Sequence, residues 1–438
     1  MLSSRLPKDL SPSPFFAELE RAKADVLAEC ANADALPFID MTVSSPVKAG
    51  LPVDLDDAVD EGRKAFGNWN PDAAGWKSAR EAVVEYYRER GGNFTAGQII
   101  LTASTSEAYS VLFKTFCDPG DVILTPMPGY PLLDTLAQLE HLECAPYFLK
   151  IRRENARRRA TDERRESAKF RFVLDSDSLL AAPEHAKILL LVSPHNPTGH
   201  CISREEWNEA VRFCEENNMI LVVDEVFGDY AFSDKVSRTW QYVFGERENV
   251  ILDPGVPSAI GEGIWDAGGG DFINLPENGP KCPIFWLNGL SKAVGSPQLK
   301  LGWMAFYAPR ENFEEIRAAL EFVEDAYLSV SAPAQALGIS LLPKAAAYES
   351  KVLDRLQQNW QTLRETFPSK YCPEVLGGWY AVVRLGEDDE ELTLRLLREK
   401  HVLVQPGFFF DFDEDGWVVM SLLQDPAIFK EAIQRIKQ

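Results

Sequence analysis

The chain has 438 residues, 45% of them hydrophobic and 11% aromatic, with a formal net charge of −22. That length suits two or three globular domains, and the acidic balance excludes nucleic acid and anionic membrane surfaces as partners. Seven scattered cysteines with no Cys-x-x-Cys pair, five histidines without ligand spacing, no apolar signal core at the N-terminus and apolar runs, such as "ILLLV", far too short to cross a bilayer predict a reduced, cytoplasmic protein without metal, structural disulfide or membrane span.

In chain order, "SPFFAELERAKADVLAEC" has helical apolar spacing behind a Ser-Pro start, and "FIDMTVSSPVKAGLP" reads as a short strand and a loop. Residues 1–53 are therefore expected to form an arm and part of a small domain. From 54 to 310, apolar runs alternate with helical patterns: "QIILTAS", "DVILTPMPGYP", "AKILLLVSPHNPTG", "MILVVDEVFGDY" and "IFWLNGLSK" are strands, each but the last leading into a helical or turn segment. Continuous rather than alternating apolar runs predict a mostly parallel sheet covered on both faces, an α/β doubly wound domain. Residues 311–438 turn to long helices followed by "GGWYAVVRL" and "HVLVQPGFFF", a smaller α+β domain. Two stretches look inserted. The arginine-dense segment 151–171 is expected to be a solvated loop or surface helix, and the Gly- and Pro-rich segment 255–283 a long loop.

Ligands of open parallel sheets bind beyond the carboxyl ends of the strands. The residues delivered there are Ser104, Thr105 and Ser106 at a helix start, Tyr130, Asn196 between two prolines, Asp224 after a fully apolar run, Ser291 and Lys292, with Lys300 beyond. Singly, each has a bland reading. The hydroxyls suit ordinary N-capping, Asp224 suits a helix cap and Lys292 a surface lysine. Together they form an anion cradle, an aromatic plate, an amide, a carboxylate and an amine. That set suits an aromatic phosphate ester bearing a ring nitrogen and an aldehyde: Lys292 to form a Schiff base, Asp224 to hold the ring nitrogen protonated, Asn196 to donate to a phenolate oxygen and Tyr130 to stack on the ring.

The ordered motifs "TASTSEAY", "PMPGYP", "SPHNPTG", "VVDEVFGDY" and "LSKAVGSPQLKLGW" resemble the class I/II aminotransferases of the aspartate-aminotransferase fold (fold type I), which use pyridoxal 5′-phosphate. The resemblance implies a homodimer with active sites at the subunit interface, a small domain built from both chain ends, and an amino group shuttled between an amino donor and a keto acceptor, with Asp224 and Lys292 catalytic. A lyase, decarboxylase or racemase on the same fold and a non-catalytic cofactor-binding sensor are the other readings.

Departures from the pattern are informative. Phe227 stands where an aromatic hydroxyl is usual, leaving the phenolate oxygen to Asn196 unless Tyr230 reaches it. Gly289 replaces a serine, Lys300 replaces an arginine at the phosphate, and Trp69 replaces the tyrosine that reaches the partner's phosphate. Val419 or Met420 occupies the place of the arginine that grips the substrate carboxylate. Arg384 is the nearest substitute, with a strand-end surface role as the alternative. Trp379 and the run Phe408 to Phe410 offer aromatic surface to a substrate, with core packing as the alternative for that run.

Overall fold

A computed structural model describes residues 3–7, 9–11, 13–31, 36–154, 169–233, 235–244, 264–265, 272–273, 275–276, 279–328, 330–386 and 388–438. Its centre is an eight-stranded sheet. In spatial order the strands are Ile99–Thr102, Gly302–Tyr307, Ile284–Gly289, Ile220–Asp224, Ala186–Val192, Val122–Met127, Glu143–Glu154 and Lys169–Leu174. The four contacts from Ile284–Gly289 across to Glu143–Glu154 are parallel; Gly302–Tyr307 and Lys169–Leu174 run antiparallel to their neighbours. The expected mostly parallel sheet is therefore present.

The unbroken apolar runs have a direct reason. Leu189, Leu191, Leu221, Val223 and Trp286 belong to one buried cluster, while Ile188, Leu190, Val222, Phe285 and Leu287 belong to a second. Successive side chains of a strand point to opposite faces, so a sheet covered on both sides must be apolar at every position. Fully burying each such side chain contributes roughly 1.5–3 kcal/mol. The helix Phe313–Tyr327 joins the second cluster through Phe313, Ile316 and Leu320, against Ala108 and Leu112 of the helix Thr105–Phe116.

The chain ends come together. The helix Pro14–Glu29 starts at Ser13, whose hydroxyl accepts from the Phe16 N–H at 3.3 Å, and its buried stripe of Phe15, Leu19, Ala22 and Val26 packs on Leu397 and Leu403. Ile39–Asp40 pairs in parallel with Val402–Leu403. Beside them, Tyr380–Arg384, Trp417–Ser421 and Gln405–Pro406 form a three-stranded sheet.

The inserted segments differ from expectation. Ile151 to Glu154 continue a long strand and pair with Lys169 to Phe172, and Arg171 Nε forms an ion pair with Glu154 at 2.8 Å across the pair. The apolar residues Ile151, Phe170 and Phe172, set among arginines, carry a strand alternation that the charge density hides; residues 155–168 lie outside the described set. Within 255–283, Ile264–Trp265 pairs antiparallel with Phe272–Ile273, and most of the remainder lies outside the described residues.

Candidate active site

Asp224 closes the strand Ile220–Asp224, and the neighbouring strand Ile284–Gly289 pairs Leu287 with it in parallel register. The chain then turns through the short helix Leu290–Ala293, which carries Lys292, and returns as the antiparallel strand Gly302–Tyr307. Two glycines permit that return. A Cβ on Gly289 would lie 3.0 Å from both Gly302 Cα and the Leu301 carbonyl oxygen. Glycine at 289 is thus required by the close approach of the two strands.

Asp224 has two donors. The Tyr109 hydroxyl reaches its Oδ2 at 2.6 Å and the Val226 N–H its Oδ1 at 3.0 Å. Burial pushes this carboxyl above its ordinary range, against the hydrogen bonds from Tyr109 and Val226 and the charge of Lys292. Lys292 is affected in the complementary direction. Burial pushes its amine down to about 8, with the Asp224 charge opposing. Its Nζ lies 4.7 Å from the ring centroid of Trp379 and 5.4 Å from that of Phe227. Those rings contact each other at 5.3 Å between centroids, and Tyr380 adds an edge to Phe227 at 6.0 Å. The lysine amine thus sits between aromatic faces with a carboxylate as its electrostatic partner.

Asn196 follows Pro194 and precedes Pro197, and the peptide bonds into both prolines are cis. Its side-chain oxygen is buried and has no hydrogen-bond partner among the described residues. Burial and the Asp224 charge raise the Tyr130 hydroxyl, so Tyr130 shares the field of Asp224 although the residue is 46% exposed. Ser104 caps the helix Thr105–Phe116: its hydroxyl accepts from the Glu107 N–H at 3.2 Å, and the Glu107 carboxylate turns back to the Ala103 N–H. Thr105 and Ser106 form the half-buried first turn of that helix, and Ser291, beside Lys292, is also half-buried.

Of the other expected residues, two are exposed and one is engaged with charged neighbours. Lys300 is exposed, with φ +52°. Trp69 is 77% exposed. Arg384 turns to the far end of its strand, where it pairs with Glu414, donates to the Asp415 carbonyl at 3.3 Å and lies over the Trp417 ring. It ends the strand Tyr380–Arg384 opposite Trp417, which sets it beside the charged loop residues Glu414 and Asp415. Val419 and Met420 are fully buried. Arg90 and Arg238 are engaged by Asp229, at 2.9 and 3.0 Å, together with the Tyr86 hydroxyl. The Tyr230 hydroxyl does not reach outward as a substitute for the one missing at Phe227; it donates to the Lys292 main-chain carbonyl at 2.6 Å.

Tyr109 was missed from sequence, and Tyr230 was weighed only as a substitute for the hydroxyl absent at Phe227. Tyr109 lies one helical turn beyond Thr105 on a buried face, and its signal was a hydroxyl-bearing ring at a core-facing position, where a polar tip needs a partner. Tyr230 closes the turn Gly228–Tyr230 directly after Asp224.

The sequence profile of the family described as aminotransferase class I and II matches residues 54–436. The chain belongs to this family. It is an aminotransferase, and the cofactor of the family is pyridoxal 5′-phosphate. A tyrosine aminotransferase of Caenorhabditis elegans is 22% identical over 381 residues, covering 85% of this chain and 71% of that protein. A glutamate-pyruvate aminotransferase of Haemophilus influenzae is 23% identical over 381 residues, covering 83% and 81%. Among solved structures, an alanine aminotransferase from Pyrococcus furiosus superposes with a TM-score of 0.72 at 21% identity, covering 98% of both chains. An aspartate aminotransferase from Thermotoga maritima gives 0.73 at 18%, covering 100% of this chain and 99% of that one. This aminotransferase therefore has the type I fold.

The residues present fit the cofactor. A buried carboxylate, a lysine amine of lowered proton affinity, the Asn196 amide, whose NH2 donates, a helix N-terminus and an aromatic plate suit its ring nitrogen, aldehyde, phenolate, phosphate and ring face.

Proposed function

We propose that Lys292 is the lysine that anchors the cofactor and moves the proton at the substrate α-carbon, with Asp224 as the acid facing the ring nitrogen. The single observation that supports this most is the pairing of Lys292 and Asp224: an amine and a carboxylate at the ends of adjacent strands, each shifted toward its neutral form by burial and each acting on the other. When bound, the cofactor supplies the carbonyl that receives the amino group and the ring that withdraws electrons from the reacting carbon.

The remaining roles follow from residue chemistry. The amine of Lys292, lowered to about 8 by burial, is about one tenth unprotonated at pH 7, far more than an ordinary lysine, and can take and return a proton. Tyr109 holds the Asp224 carboxylate and favours its ionised form. Asn196 is the ligand for the phenolate oxygen, the first turn at Ser104, Thr105 and Ser106 receives the phosphate with Lys300 supplying charge, and Tyr130 covers the ring. Trp379 and Phe227 flank the amine and exclude water from it.

The working assembly in this reading is a homodimer. Phe66 and Trp69 are 79% and 77% exposed in the single chain, and large apolar side chains so exposed mark an interaction surface when they cluster. Trp69 then serves the partner's site. All seven cysteines are free, which supports a reducing compartment, the cytoplasm. As to substrate, the buried Val419 and Met420 offer no cation to a carboxylate and Arg384 is engaged elsewhere. We infer a donor that presents an apolar or neutral group to the Trp379 wall. A screen of amino donors and keto acceptors tests this, with conversion of the bound cofactor to pyridoxamine 5′-phosphate as the readout. Release of carbon dioxide, ammonia or thiol instead would contradict transamination as the main reaction.

A further inference from the structure

Tyr230 occupies a three-way junction. Its hydroxyl donates to the main-chain carbonyl of Lys292 at 2.6 Å. Its ring, fully buried, meets Trp379 edge-on, with 5.2 Å between centroids and an interplanar angle of 60°. Trp379 in turn carries the Lys292 Nζ 4.7 Å from its ring centroid. The three residues thus form a closed triangle around the lysine's two ends, its carbonyl and its amine.

The main chain reinforces this arrangement. The Tyr230 carbonyl accepts from the Gly378 N–H at 2.9 Å, Phe232 N–H donates to the Leu376 carbonyl at 2.8 Å, and Ala231 bridges Gly377. The approach is so close that a Cβ on Gly377 would lie 2.8 Å from the Tyr230 carbonyl oxygen and 3.0 Å from Ala231 Cα. The segment leading out of the Asp224 strand is therefore stitched to the segment leading into the Trp379 strand. Lys292 needs such support. The helix Leu290–Ala293 has four residues, and the last carbonyls of any helix lack intrahelical donors. Tyr230 supplies the donor for the one that belongs to the lysine.

We propose that Tyr230 is a positioning residue: its hydroxyl fixes the Lys292 backbone relative to the Trp379 ring, so that the amine is held where the cofactor aldehyde must meet it. The proposal rests on Lys292 as the cofactor lysine. It assigns to Tyr230 a role toward the lysine's covalent bond and not toward the rest of the cofactor.

The test compares two forms of the cofactor on Tyr230→Phe, which keeps the ring and removes only the hydroxyl. Pyridoxal 5′-phosphate has an aldehyde that condenses with a lysine amine, releasing water. Pyridoxamine 5′-phosphate has an amine there and cannot. The dissociation constant for the pyridoxal form should rise about tenfold, a loss of about 1.4 kcal/mol, while that for the pyridoxamine form stays within about twofold. In the holoenzyme kcat should fall by a similar factor with KM little changed. Restoring a donor with 3,5-difluorotyrosine at position 230 should return the pyridoxal constant to that of the unaltered protein. Equal weakening of both forms, or no change in either, would overturn the proposal, because a hydroxyl that only supports the fold cannot distinguish them. Lys292→Ala separates the premises: if that variant still prefers the pyridoxal form as the unaltered protein does, the lysine assignment fails and the role of Tyr230 falls with it, whereas loss of the preference in Lys292→Ala with none in Tyr230→Phe overturns the role of Tyr230 alone.

Discussion

The Tyr109 hydroxyl donates to Asp224 Oδ2 at 2.6 Å, joining the first helix after the Ser104 cap to the end of the central strand. The bond opposes the effect of burial on the carboxyl. Removing it with Tyr109→Phe should let the Asp224 pKa rise further. A group whose ionised form is required is lost as pH falls through its pKa, so the acidic limb of kcat should move to higher pH. A hydrogen bond to a charged group contributes roughly 1.5–3 kcal/mol, and about 1.4 kcal/mol corresponds to one unit, so the expected displacement is about one unit or more. A pH–rate profile of the variant superposing on that of the unaltered enzyme would show that Tyr109 serves packing alone.

Burial pushes the Lys292 amine down to about 8. Only the unprotonated amine condenses with an aldehyde, and an ordinary lysine titrates at about 10.4. The rate at which cofactor-free protein takes up pyridoxal 5′-phosphate should therefore rise with pH and reach half its limit near 8, a midpoint that stopped-flow absorbance resolves. Asp224→Asn, which removes the opposing charge, should lower that midpoint further. A rate still climbing through pH 10 would place the reactive amine in solvent, not between Trp379 and Phe227.

Asp224→Ala should cost catalysis far more than fold stability. The carboxylate is the partner of the ring nitrogen in this account, and its loss should lower kcat by about a thousandfold, roughly 4 kcal/mol of barrier. The structural loss is the unpaired Tyr109 hydroxyl, about 1–3 kcal/mol. Comparing kcat with the thermal midpoint decides the matter; near-normal turnover with cofactor bound would mean another acid does this work.

Much of this site was legible because strand ends are where a parallel sheet presents chemistry. Asp224, Asn196 and Lys292 each follow an unbroken apolar run, and two-sided burial of those runs is what the core shows. Less legible was what depends on direction. Arg384 shares a strand with Ala381, which pairs with Met420, but the sequence does not say which end of the strand faces the lysine. Tyr109 was passed over, and Tyr230 was weighed only as a substitute for the hydroxyl absent at Phe227, because nothing local shows where a phenol's tip points. The strand Lys169–Leu174 was hidden by charge: Lys169 and Arg171 alternate with Phe170 and Phe172, and the arginine-dense stretch before them dominates the composition.

Val419 and Met420 are buried in the strand Trp417–Ser421, and a carboxylate brought there would be desolvated without a cation. Aspartate and alanine should therefore be poor donors, with kcat/KM at least about a hundredfold below that of the preferred donor, roughly 2.7 kcal/mol. Arg384→Ala should leave KM for every donor within about twofold, since its guanidinium is engaged by Glu414 and Asp415. Efficient turnover of aspartate would require a carboxylate ligand elsewhere, and a KM raised by Arg384→Ala would return that role to Arg384.

The identity of the anchoring lysine decides the central assignment. Borohydride reduction of the holoenzyme fixes the cofactor to the lysine it joins, and peptide mass spectrometry then locates it. The arrangement of Lys292 between Trp379 and Phe227, with Asp224 as its counter-charge, predicts a phosphopyridoxyl group on Lys292 alone. The same label on Lys300, or on any lysine other than Lys292, would contradict it.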